Sequence, residues 1–429
     1  MSGVRERADR YLKSRTRVGM KFGLRTMRRL AEALGHPERA PTVLVAGTNG
    51  KGSVVAYVDA ALRASGLRCG RYISPHLQRV NERIAVDGRD IDSEALAIAV
   101  DRVRAVALRL RRAGAIDAHP TYFEALTAAA LLHFRERAVD LAVLEVGMGA
   151  RLDATNIARP IVSAIVTVDR DHEAYLGDTL AAIAREKAGV LRRGRVTVLG
   201  RLEAEARAAI GERAARVGAR LVDALEGVEM SCRGGVLGGV LSVRTPRRVY
   251  PVVRALPGAH QRDNAVVALR LLESLAEAGV SVDLDRAGEA FAEARWPGRL
   301  QWLPGRPPLL LDGAHNPAAA RALARYLPEV GPFVLVFGVL ADKDVTSMGR
   351  ILFPLAQAVV ITRPPSERAA SPREVVARVG APAERALLEA DVPRALARAR
   401  GLAGATVPVV VAGSLYLVGR VLSLRRPRK

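Results

Sequence analysis

A chain of 429 residues is longer than one hydrophobic core usually supports, so two domains are expected, and 49% apolar with 26% charged residues is the balance of a soluble globular protein. Two cysteines without metal-ligand spacing, Cys69 and Cys232, exclude a disulfide framework and fit a reducing cytoplasmic setting, and the charged first 20 residues lack an apolar signal core. The net charge of +22 raises the question of a nucleic-acid surface, but the arginines run along the whole chain with few aromatics among them, so a compositional preference for arginine accounts for it better.

The predicted elements alternate. Thr42–Ala46 (TVLVA) is a short apolar strand, followed by a Gly-rich turn and a helix over 54–64. A helix over 121–134 precedes a buried strand over 141–146, and another strand follows over 161–168. Strands over 196–199 and 221–222 flank a helix over 202–217. The stretch 225–256 changes character and predicts β-hairpins, and a helix over 264–277 comes next. Trp296-Pro297-Gly298-Arg299 is the best interdomain break, beyond which LLLLDG, FVLVFG, AVVIT and VPVVVAG alternate with helical stretches. The fold class is therefore α/β. A P-loop-type, mainly parallel sheet domain with a small β subregion is expected over 1–295, and a smaller Rossmann-like α/β domain over 296–429. The apolar stretch 407–419 is too short to span a bilayer.

Only six lysines stand among the 66 basic residues: Lys13, Lys21, Lys51, Lys187, Lys343 and Lys429. Where arginine is used so freely, a lysine marks a place for a compact, titratable ammonium. Lys51 falls in Gly47-Thr48-Asn49-Gly50-Lys51-Gly52-Ser53, between strand and helix, where backbone N–H groups and the helix dipole attract phosphate. This is not the standard GxxxxGK[ST] loop, since Val45 stands at the first glycine and Gly52 separates lysine from serine. A plain glycine turn is the bland reading; the strand–loop–helix context and the lysine favour a nucleotide.

GTNGKGS resembles the ATP loop of the Mur ligase superfamily, in its folate branch of bifunctional dihydrofolate synthase/folylpolyglutamate synthases. The resemblance continues in order through SPHL (74–77), NERI (81–84), TYFE (121–124), EVGMGARLDATN (145–156) and DHEAYLGDTLAAIAREKAGV (171–190). It runs on through LPGAHQRDNA (256–265), WPGRL (296–300), LDGAHNP (311–317), ADKD (341–344) and AGSLYLVG (412–419). What it implies is an ATP-dependent acid–amino-acid ligase that adds L-glutamate to dihydropteroate or reduced folates, with ATP and Mg²⁺. Small-molecule partners are expected, with no nucleic acid, no membrane and a monomeric state.

By the same resemblance, Thr48, Asn49, Gly50, Lys51, Gly52, Ser53 and Asn264, with Gln261 beside them, would hold ATP from the first domain, and Arg299 and Asp312 from the second. Ser74, Glu145 and His172 would be the magnesium ligands. Read on its own, Glu145 ends a buried strand, where an open α/β sheet places its ligands, while His172 alone would be a turn or core histidine. Lys187 would be carboxylated; its bland reading is an exposed helical ion pair. Phe22, Gly23, Leu24, Thr121, Tyr122, Phe123, Glu124, Leu152, Asp153 and Ala154 would line the pteroate slot, although either phenylalanine could equally be core. His315, with Arg83 and Ser414, would form the glutamate site. Two rivals stay open: a cell-wall Mur ligase acting on a UDP-sugar peptide, and a basic nucleic-acid-dependent P-loop ATPase.

Overall fold

Thr42–Ala46 (β1) is buried at every residue, as a central parallel strand covered on both faces must be. The computed structural model describes residues 2–15, 23–234 and 239–424, and builds around β1 a sheet with β2 (Cys69–Tyr72), β3 (Ile84–Val86), β4 (Arg89–Asp90), β5 (Leu141–Glu145), β6 (Pro160–Ile165), β7 (Val196–Leu199) and β8 (Arg220–Asp223). Their order is β4-β3-β2-β5-β1-β6-β7-β8, parallel except at the β2-β3-β4 edge. The connections out of β1 and β5 pass to opposite sides, so the carboxyl ends of β5, β1 and β6 open on one crevice.

The expected hairpins form a three-stranded antiparallel sheet of β9 (Glu229–Arg233), β10 (Val240–Arg244) and β11 (Val249–Val253). Part of the GGVLGGV stretch lies outside the described residues. This sheet is tied to the helix Ala259–Glu277 by a buried carboxylate: Thr245 Oγ1 and Tyr250 Oη donate to Glu273 Oε1 at 2.7 and 3.1 Å, and Arg270 donates to Oε2 at 2.6 Å.

The chain then passes through Trp296–Arg299 into a second sheet of β12 (Gln301–Leu303), β13 (Leu309–Leu311), β14 (Val334–Phe337), β15 (Ala358–Ile361), β16 (Leu387–Leu388) and β17 (Val409–Ala412). The order is β12-β13-β17-β14-β15-β16, and only β12 runs antiparallel. Each large sheet is buried between two apolar layers. Among the described residues no helix is long and apolar enough to cross a membrane.

Two differences from the sequence reading have clear causes. The helix expected over 264–277 begins at Ala259, because its first turn carries His260, Gln261, Arg262 and Asp263 and shows no apolar period. The helix expected over 54–64 begins at Lys51, in a glycine turn without apolar residues. Helices Ser2–Arg15, Arg25–Ala33 and Ser93–Arg112 fall where the sequence reading placed no element.

Candidate active site

The loop after β1 is fastened before any ligand is considered. Thr48 N donates to Thr167 O at 2.9 Å, Asn49 N to Thr167 Oγ1 at 2.9 Å, and Asp169 N to Thr48 Oγ1 at 3.0 Å. Gly50 turns the chain with φ 81°, and a Cβ there would come 2.5 Å from Asn264 Oδ1. No side chain caps the helix that starts at Lys51, so the first N–H groups stay open to an anion. Lys51 Nζ folds over the loop, donating to Gly47 O at 3.1 Å and Thr48 O at 3.2 Å. The departure from the usual signature has a steric cause: a Cβ at Gly52 would overlap the Trp296 ring at 1.9 Å. Under the loop runs a buried amide relay, with Gln261 Nε2 donating to Ser53 Oγ at 3.1 Å and Asn264 Nδ2 to Gln261 Oε1 at 3.0 Å.

Glu145 closes β5 directly beside Val45 of β1. Its side chain is buried, and Oε2 accepts the Ser74 N–H at 2.9 Å. Burial pushes its carboxyl up, while Lys51, the Ser74 N–H, Arg299 and Arg83 pull the other way. His172 stands in the left-handed region at φ 56° after β6, partly exposed, and burial holds its imidazole below the ordinary value against the pull of Asp171. Lys187 ends the helix Leu180–Lys187 and is only 3% exposed. Burial, with Lys51 adding repulsion, brings its ammonium down to about 7. Among the described residues it makes no hydrogen bond or ion pair; the bland reading of an exposed helical pair does not hold.

The second sheet contributes its own edge of the crevice. Asp312, after β13, accepts Leu300 N at Oδ2 (2.9 Å) and Ala314 N at Oδ1 (2.8 Å), which fixes the turn. The Arg299 guanidinium lies against Gly313, where a Cβ would meet it at 2.6 Å. His315 Nδ1 donates to Gly313 O at 2.8 Å, and burial, then Arg299 and Lys343, take the ring down to about 4, so it is neutral. Ser414 is buried, and its Oγ accepts Tyr416 N at 3.2 Å. Asn316 reaches across: its Nδ2 donates to Asn49 Oδ1 at 3.0 Å and to Asp171 Oδ2 at 3.1 Å, and Lys343 Nζ donates to Asp171 Oδ1 at 2.6 Å.

The candidate acceptor residues divide by role. Tyr122 and Phe123 are half-buried; the Arg83 guanidinium lies 5.4 Å over the Tyr122 ring, and Phe123 lies against Gly147, where a Cβ would meet it at 2.6 Å. Arg83 Nε donates to His76 Nδ1 at 2.9 Å, and burial, with Arg83, holds His76 down to about 4, so the ring accepts. Thr121 and Glu124 form a capping box for the helix Tyr122–Glu136. Asp153 accepts Met148 N at 3.0 Å and Thr155 Oγ1 at 2.6 Å, shaping the turn that carries half-buried Leu152 and buried Ala154. These three polar side chains hold backbone in place. Gly23 and Leu24 lead into the helix Arg25–Ala33, which packs on the turn Ala154–Ile157, while Phe22 lies outside the described residues. The sequence reading set Asp171 beside His172 at the crevice and Asn316 at a helix start, where the helix Pro317–Tyr326 begins, and gave no role to His76 or Lys343. The signal was there in DHEAY, SPHL, HNP and ADKD, and in the rarity of lysine, but only the fold shows what these residues face.

Comparison with known proteins follows the same outline. The Mur ligase middle domain family matches residues 45–272, and the Mur ligase glutamate ligase domain matches 298–415. A curated Haloferax volcanii protein described as a probable bifunctional folylpolyglutamate synthase/dihydropteroate synthase is 38% identical over 423 residues; the match takes in 96% of this chain and 49% of that one, so the chain spans about half its length. The Bacillus subtilis dihydrofolate synthase/folylpolyglutamate synthase is 35% identical over 364 residues, covering 82% of this chain and 83% of its own. Among solved structures, Mycobacterium tuberculosis folylpolyglutamate synthase complexed with ADP superposes with a TM-score of 0.91 at 32% identity, covering 99% of both chains. Likeness of this extent, in sequence and in fold together, makes the chain a member of the Mur ligase family, on its folylpolyglutamate synthase/dihydrofolate synthase branch.

Proposed function

We propose that this chain is a cytoplasmic, monomeric ATP-dependent ligase that adds L-glutamate to dihydropteroate, to reduced folates, or to both. Residues 1–295 carry the phosphate loop and the acceptor slot, and 296–429 the glutamate site and the rest of the ATP site. The observation that carries the reading is the second sheet's Asn316 bonded to the phosphate loop beside Glu145, whose buried carboxylate lies within the field of Lys51, Arg299 and Arg83. The relative solved with ADP supports a nucleotide at the loop.

An amide does not form from a free carboxylate, because the oxygen is too poor a leaving group. ATP gives its γ-phosphoryl group to the acceptor carboxylate, the amine of glutamate attacks the acyl phosphate, and phosphate leaves. Lys51 and the open N–H groups offset charge on the phosphates, and positioning with electrostatics supplies the rate. Arg83 and neutral His315, with Ser414, receive glutamate, while Tyr122 and Phe123 flank the flat acceptor.

The donor set fits a hard divalent cation. Glu145 has one oxygen that takes no hydrogen bond among the described residues, His172 is held toward its neutral form, and Ser74 adjoins both strand and carboxylate. Mg²⁺ draws most of its ligands from phosphate and water, so it needs few donors from the protein. Bound there, magnesium would neutralise charge on the transferring phosphoryl group. Lys187 fits the carboxylated lysine: an amine near 7 is substantially neutral at working pH, the form that adds to carbon dioxide, and the resulting anion would face Lys51.

The deciding assay is phosphate release with ATP, Mg²⁺ and L-glutamate, offering dihydropteroate, tetrahydrofolate or a UDP-sugar peptide. Glutamate-dependent release with a pteroate or folate acceptor is expected, lost by about a thousandfold in Lys51→Met. Release with the UDP-sugar peptide alone would move the chain to the cell-wall branch.

A further inference from the structure

Lys343 lies in ADKD, the one block of the lysine-bearing motifs to which the ligase reading gives no task. Its Nζ is 2.6 Å from Asp171 Oδ1, and the two side chains are 8% and 9% exposed. The partners come from different sheets: Asp171 follows β6, and Lys343 follows β14. Asn316, which caps the helix Pro317–Tyr326, donates to the other oxygen of the same carboxylate at 3.1 Å. The same amide exchanges hydrogen bonds with Asn49 of the phosphate loop at 3.0 and 3.3 Å. Two side chains of the second lobe thus grip one carboxylate and one loop amide of the first.

Lysine suits this grip. A guanidinium prefers both oxygens of a carboxylate, and would displace Asn316; an ammonium takes one and leaves the other. The lysine is also presented by a braced turn. Arg378 Nη2 donates to Lys343 O at 2.8 Å and Nη1 to Ala341 O at 2.7 Å, while Lys343 N donates to Leu340 O at 3.2 Å.

A buried ion pair inside one core is weak evidence for stability, because both charges lose their water. Across a cleft the balance differs, since both charges regain water when the lobes part. Stranding one partner is relieved by opening, so the effect falls on the open–closed equilibrium and not on either core.

We propose that Lys343 and Asn316 are positioning residues that clasp Asp171 and Asn49, so that seating the second lobe and fixing the phosphate loop with the Asp171–His172 turn are one event. The clasp rests on the ligase reading only for the reaction it serves; closure can be measured without an acceptor.

The test uses the full chain as wild type, Lys343→Met, Asp171→Asn, the double variant and Lys343→Arg. Small-angle scattering with Mg²⁺ and a non-hydrolysable ATP analogue reads closure, thermal melting reads the fold, and steady-state kinetics read turnover. Both single variants are expected to melt near wild type, to show a larger radius of gyration with the analogue, and to lose about tenfold or more in kcat with little change in KM for ATP. The double variant should lose no more than the poorer single, because each removes the same contact. Lys343→Arg keeps the charge and displaces Asn316, so it should fall between. Wild-type scattering in both single variants, losses that multiply in the double, or a Lys343→Arg protein equal to wild type in closure and kcat would each overturn the clasp. If wild type shows no glutamate-dependent phosphate release while the single variants still open, the ligase reading fails and the clasp stands.

Discussion

Lys187 sits almost wholly out of water at the end of its helix, and its amine, at about 7, lies well below the ordinary lysine value of about 10.4. Between those two values the unfolded chain holds a proton that the folded chain has given up. Stability therefore rises with pH through that window, and the penalty for the buried cation is complete below about 7. Lys187→Met removes the penalty: in buffer free of carbon dioxide its melting temperature should exceed wild type most below pH 7, and the gap should close toward pH 10. Carboxylation would remove the cation another way. Adding bicarbonate near pH 8 should raise the melting temperature of wild type and leave Lys187→Met unmoved; an equal response from both proteins would dispose of the modified lysine. The sequence marked this residue by its rarity and by the AREKAG block, but an exposed ion pair and a buried amine look the same in one dimension.

Helix Lys51–Ala64 shows how an element's ends are decided by neighbours far along the chain. Gly52 lies in its first turn, where alanine would favour the helix by about 1 kcal/mol, yet the Trp296 ring occupies the space a methyl would need. Over-packing costs about 1–3 kcal/mol, so Gly52→Ala should lower the melting temperature and raise KM for ATP as the loop gives way. A variant as stable as wild type, with unchanged KM, would show that Trp296 moves aside freely. The strands themselves were legible: TVLVA, LAVL and VVVA are short apolar runs, and their length, β-branched content and flanking turn residues favour a buried strand over a helix. The start of Ala259–Glu277 was not, because its polar first turn faces the site and so breaks the apolar period. The capping box at Thr121 and Glu124 was readable as a helix start, although those residues were expected at the pteroate.

The arginines behind the net charge of +22 are spread along the whole sequence. Arginines pair with acids at widely separated places, as in Arg7–Asp101, Arg25–Asp117, Arg201–Asp263, Arg248–Asp285 and Arg368–Asp342, spread over both lobes. ATP turnover should therefore be indifferent to single- or double-stranded DNA between about 50 and 200 mM salt; stimulation that falls steeply with salt would revive the nucleic-acid reading. The α/β class, the phosphate loop, the longer apolar strands and the family follow from local pattern, because apolar period, glycine placement and motif are properties of neighbouring residues; β2, β3, β4, β12 and β16, short and with little such pattern, were not read from it. The tertiary structure alone decided which distant groups share the crevice. That Lys51, Glu145 and Arg299 lie in one field, that Lys187 is desolvated, and that Lys343 meets Asp171 across 172 positions all depend on the strand order and on the seating of one lobe against the other. Electrostatic strength there is set by distance and burial, and neither is written in the spacing of residues along a chain.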